Sequence, residues 1–281
     1  MRLDFKDIGN HQTAFFALGD LANLKKLPTS ALGKSIHLRN SADPKQARFA
    51  FLFNIFNGSV YGDVMGMPPW VMINCIFQNA ALIGIEGPAK YIPVAMREKI
   101  DTALAEMNSD HLKDDEIVPL AEACAIKTFA PDRVHAFSLY STTPGLGSIA
   151  KAAMLDIHRQ MGARYQTGTA QYDNASLAIH TKFGALDILQ PQVALHTKHD
   201  RTFIYGCEIP DEAALLSIAM GHRPMLPGEL KPEAIIQFDW RELEQYQNMT
   251  QRHENGSHRY VMLPPGIDAV TKTNPIAEIK L

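Results

Sequence analysis

A chain of 281 residues with 46% hydrophobic and 20% charged side chains has the composition of a soluble globule with a sizeable core. Its formal charge of -3 supplies no general attraction to nucleic acid or to an anionic membrane, so neither is an expected partner. The cysteines Cys75, Cys124 and Cys207 are odd in number, widely spaced and set in apolar or mixed runs, which excludes a disulfide or zinc framework and points to a reducing compartment.

Residues 1–7 carry acidic side chains and lack the apolar run of a secretory signal, so the expected location is cytoplasmic. In 13–27, Phe16, Leu18, Leu21, Ala22 and Leu24 predict a short amphipathic helix ended by Pro28. Asp43-Pro44 pairs an N-cap residue with a proline at the first helical position, and predicts a helix that runs to Phe56 and stops at Asn57-Gly58. The aromatic run 49–56 also suits a strand. Residues 58–69, with three glycines and two prolines, predict a loop able to cover a pocket. The apolar window 70–87 is interrupted by Asn74, Gln78, Asn79 and Glu86, too often for a membrane span, and reads as two strands with a turn near Gln78-Asn79. Residues 91–107 are helical in pattern, with Pro93 in the first turn.

Residues 117–127 and 133–140 predict a hairpin joined by Phe129-Ala130-Pro131-Asp132. On its first strand Val118, Leu120, Glu122, Cys124 and Ile126 share a face, so Glu122 is a single carboxylate in an apolar row. Burial would raise its pKa toward that of a useful general base. The competing expectation is that Glu122 faces solvent at a sheet edge or pairs with Arg133.

After the second strand, the segment Ser141-Thr142-Thr143-Pro144-Gly145-Leu146-Gly147-Ser148 is too rich in Gly, Pro and hydroxyls to extend it. Leu146, Ile149, Ala150, Ala153, Ile157 and Met161 then form a helical stripe that stops at Gly162. The first-turn amides of such a helix have no partners inside it, and the two glycines remove side chains that would keep an anion away. Without a ligand, Gly145 and Gly147 would mark no more than a turn that needs positive φ.

Two machines use such a loop. Gly145 to Ala150 fits the dinucleotide fingerprint G-x-G-x-x-A, with Asp173 as the acid that grips a ribose, which would make the protein an NAD(P)-dependent oxidoreductase. Against this, four residues (141–144) separate the strand end from the first glycine, and 165–171 alternates with Thr and Gln, unlike a strand buried between two helical layers. Further on, 192–198 and 202–209 predict a final hairpin around His199-Asp200-Arg201. His196 and His199 straddle Lys198 with no carboxylate at ligand spacing, so no metal is expected. The tail holds a short helix (211–220), a Pro/Gly stretch (223–232), a polar helix (240–253) and a mostly irregular end.

The loop Thr142-Thr143-Pro144-Gly145-Leu146-Gly147, followed by Asp173, Ser176, His180, Lys182 and Gly184 in unbroken spacing, resembles the GCN5-related N-acetyltransferase (GNAT) superfamily. That family writes its loop R/Q-x-x-G-x-G/A and the later pattern N-x-x-A-x-x-x-Y-x-K-x-G. Thr142 stands in place of Arg or Gln, Asp173 in place of Asn, and His180 in place of the Tyr that protonates a departing thiolate. The resemblance implies an α+β fold, an α/β/α sandwich whose mixed, mostly antiparallel sheet splays beside Phe137 with 165–171 parallel to that strand. It implies a GNAT-like domain over 1–209 with an enlarged N-terminal region, and a C-terminal extension, 210–281, packed on the same domain.

It further implies acetyl-CoA as co-substrate and an amine of a small molecule or peptide as acceptor. Phe137, Ser138 and Leu139 would border the pantetheine arm. Thr142, Thr143, Gly145, Leu146, Gly147 and Ser148 would hold the pyrophosphate, with Asp173 and Asn174 nearby. Glu122 would be the base and His180 the acid. For His180 the plainer reading is a packed neutral residue, for Ser148 a residue that favours the first helical turn, and for Lys182 a solvated charge. The extra length at both ends leaves room for a homodimer contact, and the departures at Thr142 and His180 leave open a non-catalytic acyl-CoA-binding protein.

Overall fold

The structure, a computed structural model, describes residues 14–18, 31–39, 43–65, 80–193, 202–222 and 231–281. Its strands are β1 (Phe15–Leu18), β2 (Ile36–Leu38), β3 (Ala80–Pro88), β4 (Ile117–Lys127), β5 (Arg133–Ser141), β6 (Tyr165–Gln171), β7 (Leu186–Val193), β8 (Thr202–Glu208), β9 (Ala234–Phe238), β10 (His258–Met262) and β11 (Asn274–Lys280). The helices are α1 (Ala47–Met65), α2 (Val94–Glu106), α3 (Leu146–Gln160), α4 (Leu177–His180), α5 (Glu212–Ala219) and α6 (Leu243–Glu254). Among the described residues no helix is long and apolar enough to cross a membrane.

The strands make one sheet in the order β2-β1-β3-β4-β5-β6-β8-β7-β10-β11-β9. Among the described residues only β1–β2 and β5–β6 pair in parallel. A dinucleotide domain needs a largely parallel sheet, so the oxidoreductase reading is corrected here. The parallel β5–β6 pair requires a long crossover, and α3 supplies it. That pairing runs from Arg133↔Tyr165 to Ala136↔Gly168 and ends there, although both strands continue. On the other flank of β5, Cys124 pairs with Ser138 and Ala125 with Ala136, which leaves Phe137 as the extra residue of a bulge. Splay and bulge fall at the same point of β5.

Several local expectations are overturned by packing. Residues 15–18 are a strand rather than part of a helix. Phe15 and Phe16 are both buried, which a strand between β2 and β3 allows, and the Phe16 ring meets Phe49 and Phe53 of α1 edge-on at 5.2 and 6.3 Å. The remainder of the expected helix, 19–27, lies outside the described residues. Asp43 caps a single 3-10 turn, Pro44–Gln46, by accepting from the Lys45 amide at 2.9 Å, and α1 then continues through Asn57-Gly58 to Met65. An interior glycine costs a helix about 1 kcal/mol, less than the burial of Phe49, Leu52, Phe53 and Phe56 returns. Residues 58–65 are therefore helix, not loop, and 66–79 lie outside the described residues.

The strand expected at 192–198 starts at Leu186, because Leu186 and Ile188 are both buried beside β8; 194–201, with His196, Lys198 and His199, lie outside the described residues. The irregular C-terminal end is also corrected. β10 and β11 pair over five positions, β9 pairs with β11, and β10 joins β7 through Val261↔Asp187 and Met262↔Leu186. The tail thus continues the sheet. Asn274 ties it down from β11, donating to the carbonyls of Tyr172 at 2.9 Å and Gly266 at 2.8 Å. Tyr172, Phe203, Phe238, Tyr246 and Tyr260 fill a second core under this half, separate from the core below α1 and α3.

Candidate functional site

The glycine loop is held from both sides. Thr142 sends its amide (2.9 Å) and its hydroxyl (2.8 Å) to the Leu120 carbonyl, and Thr143 reaches the Tyr91 carbonyl at 3.1 Å. Ser141 donates to the Thr143 carbonyl at 2.5 Å, and the Leu146 amide does so at 3.3 Å. Gly145 takes φ 93° at the N-cap of α3, a left-handed turn suited to glycine. A Cβ on Gly147 would stand 3.1 Å from Ile179 Cδ1 and 3.3 Å from Ser141 Cβ, so the absence of a side chain is what keeps this surface open.

The surface opens on a cavity of about 460 Å³ whose lining includes Lys99, Thr143, Gly145, Gly147, Ser148 and Lys182. Lys182 donates to the Ser148 hydroxyl at 3.0 Å, so the lysine expected as a solvated charge borders the loop. First-turn amides, no obstructing Cβ and two ammonium groups suit a pyrophosphate. Thr142 also lines this cavity, but its amide is committed to β4. Leu146 points into the core, fully buried. Asp173 is exposed and lines neither this cavity nor the next.

A second, narrower cavity of about 50 Å³ lies at the splay. Phe137, Ser138 and Leu139 line it from β5, as do Tyr61 of α1, Lys151 of α3 and Asn174. His180 of α4 and Tyr205 of β8 also line it. The Asn174 carboxamide oxygen accepts from the Ser176 amide at 2.8 Å and shapes the entry to α4. Tyr61 occupies the edge of β5 at the splay, because its hydroxyl donates to the Leu139 carbonyl at 2.5 Å and accepts from the Leu139 amide at 2.7 Å. It therefore takes both polar groups that β6 would have met had the pairing continued.

Glu122 is fully buried, facing neither solvent nor Arg133, which instead lies over the Tyr165 ring at 5.3 Å. The Ser138 hydroxyl donates to its Oε1, while Oε2 has no hydrogen-bond partner. Desolvation pushes the carboxyl up to about 8, against the opposing pull of the Ser138 bond. The Ser138 hydroxyl also stands 3.4 Å from that of Tyr61, whose own pKa is raised by burial and then by the Glu122 charge.

Across the cavity, His180 Nδ1 lies 2.6 Å from Lys151 Nζ and 3.1 Å from the Tyr205 hydroxyl. Burial, then the Lys151 charge, holds the imidazole well below its ordinary pKa, and burial pushes the lysine down to about 8. The Tyr205 ring can cross β6 because residue 168 is glycine: a Cβ there would sit 2.4 Å from the Tyr205 hydroxyl. Sequence reasoning overlooked Tyr61, Lys151 and Tyr205. For Lys151 a signal existed, since a lysine four residues after Gly147 shares that glycine's face of the helix and stands among alanines.

Glycine loop, crossover helix and splay follow one another as the sequence resemblance implies, and the bulge at Phe137 is added by the structure. The described sheet and its crossover agree with the fold that the resemblance to the GCN5-related N-acetyltransferases implies. No family model matches it, and no curated protein does. Similar solved structures include Tetrahymena GCN5 (12% identity, 61% of this chain and 93% of that one, TM-score 0.37) and yncA from Salmonella typhimurium with its cofactor acetyl-CoA (15% identity, 61% and 93%, TM-score 0.39). A nourseothricin acetyltransferase is also similar (12% identity, TM-score 0.33), with 47% of this chain matched to 66% of that one. Beyond β7, the strands β10, β11 and β9 lengthen the sheet.

Proposed function

We propose that the protein is an acyl-CoA-dependent N-acyltransferase, passing an acetyl or longer acyl group from coenzyme A to an amine by direct attack. The observation that carries this reading is the end of the β5–β6 pairing at Ala136↔Gly168, which leaves a cleft in the sheet with the glycine-loop cavity on one side and a set of buried proton-carrying groups within it.

In this reading the amides of Gly145, Gly147 and Ser148, with Lys99 and Lys182, hold the pyrophosphate, and the thioester lies between Ser138 and His180. An amine must be deprotonated before it attacks. Glu122, with its raised pKa, is matched to that task and communicates with the cleft through the Ser138 and Tyr61 hydroxyls. Direct transfer needs no acyl-enzyme, and buried Cys124 and Cys207 have no part in it. The thiolate is protonated from the Lys151, His180 and Tyr205 side of the cavity.

The experiment is ligand stabilisation with acetyl-CoA, coenzyme A, NAD and NADP. Acetyl-CoA at a hundred times its dissociation constant should add roughly 2.7 kcal/mol and shift the melting curve upward. A shift with a nicotinamide dinucleotide and none with either coenzyme A form would overturn the proposal.

A further inference from the structure

We propose that Lys151, not His180, gives the departing thiolate its proton, and that His180 is the positioning residue that holds the ammonium toward the cleft; this rests on the acyltransferase reading. His180 Nδ1 meets two groups at once, Lys151 Nζ at 2.6 Å and the Tyr205 hydroxyl at 3.1 Å. An ammonium has only hydrogens to offer, so Nδ1 is the acceptor and the imidazole carries its single proton on Nε2. A neutral imidazole holds that proton too tightly to surrender it to a thiolate. The residue at the family's proton-donor spacing is therefore in the wrong charge state for the role.

Lys151 is in the right one. Its side chain is buried, leaves α3 one turn beyond Gly147, and reaches the wall that Ser138, Leu139 and His180 share. The ammonium lies over the rings of Phe183 at 5.0 Å and Tyr205 at 5.8 Å, a setting that holds a cation without neutralising it. Of its three N–H groups, one is committed to His180. The titratable groups around it are His180 from α4, and Tyr205 and Cys207 from β8. Burial loosens its proton to a pKa of about 8, near the roughly 8.5 of an ordinary thiol, so the transfer to sulfur is close to balanced.

The amine nitrogen forms the C–N bond while the C–S bond breaks, and the electron pair of that bond remains on sulfur. Glu122 takes the first proton of the ammonium before attack, Lys151 Nζ gives one proton to the sulfur to make the free thiol, and the second proton of the nitrogen goes to solvent as the amide forms. Solvent then returns a proton to Lys151 and removes one from Glu122.

Coenzyme A itself is the probe, because it needs no acceptor. The thiolate absorbs in the ultraviolet, so the thiol of protein-bound coenzyme A can be titrated directly. In the wild-type protein it should ionise about one pH unit or more below the free thiol, a tenfold shift of its acid constant. Lys151→Met, which conserves length and volume, should abolish the shift while changing coenzyme A affinity less than about threefold. His180→Gln keeps the ammonium and should retain a shift. Lys151→Gln, able to donate to His180, serves if the methionine variant does not fold. A wild-type thiol that ionises no lower than free coenzyme A overturns the proposal, as does a shift that survives loss of the lysine. Failure of wild-type protein to bind coenzyme A would instead remove the acyltransferase reading beneath it.

Discussion

Ser138 on β5 and Glu122 on β4 are joined by a hydrogen bond within the sheet, the serine hydroxyl donating to a carboxylate with no exposed surface. The pair connects the core to the cleft. Ser138 lines the splay cavity, so a proton taken up there has a single hydroxyl to cross before it reaches Glu122.

Glu122→Gln should lower turnover by about 10² to 10⁴-fold with little effect on coenzyme affinity, and rising pH should restore part of it by deprotonating the amine in solution. Steady-state kinetics with an accepted amine decide this. Undiminished turnover would move the base elsewhere.

The same residue sets a stability signature. A carboxyl whose folded pKa is raised from 4.5 to about 8 binds more protons folded than unfolded between those values, so its contribution to stability is full below about pH 4.5 and is lost as pH rises to about 8. The wild-type protein should lose on the order of 4 kcal/mol relative to Glu122→Gln across that window. Urea unfolding of both proteins from pH 5 to pH 8 measures it, and a constant difference would show that Glu122 is not desolvated.

If Glu122 must be ionised and Lys151 protonated, kcat/KM should rise toward about pH 8 and fall beyond it, since both pKa values lie near 8. Lys151→Met should remove the alkaline fall, and in Glu122→Gln the acid fall should follow the pKa of the amine itself rather than a value near 8. A plateau from pH 7 to pH 10 in the wild-type protein would contradict the pairing of roles.

Gly147→Val should weaken coenzyme A binding by at least about 100-fold while leaving the protein folded, because the nearest atom to its Cβ is the movable tip of Ile179 at 3.1 Å and the next, Ser141 Cβ at 3.3 Å, asks for a shift of only a few tenths of an ångström. Calorimetry and circular dichroism are the readouts. Unchanged affinity would dissociate the loop from the ligand.

Tyr61→Phe strips the Leu139 amide and carbonyl of their shared partner and should cost about 1 to 3 kcal/mol of stability in the absence of ligand. Thermal unfolding tests it, and an unaltered melting temperature would mean that water replaces the hydroxyl without penalty.

Much of the site's frame was legible because it is local. The strand 165–171 and the start of α3 at Leu146 follow from apolar spacing and the placement of Gly145, Gly147 and Gly162 within one contiguous stretch. Glu122 stood out for the same reason, as one charge in an alternating apolar row. By contrast, the helix that ignores Asn57-Gly58 does so because its aromatic face has a partner in β1, whose own residues are far away in the chain. At the C-terminus β10 pairs with β7 and β11, and β11 with β9, partners that lie well outside each strand's own stretch of chain.

The sequence by itself determined the glycine loop, the crossover and the candidate carboxylate, since each depends on neighbours within a few turns of chain. Only the tertiary structure decided what faces them. Tyr61 meets Leu139 across 78 positions, Lys151 meets His180 across 29, and Tyr205 meets His180 across 25. Those contacts, and the desolvation that alters each group's hold on its proton, arise where separate segments pack, and no local pattern carries that information.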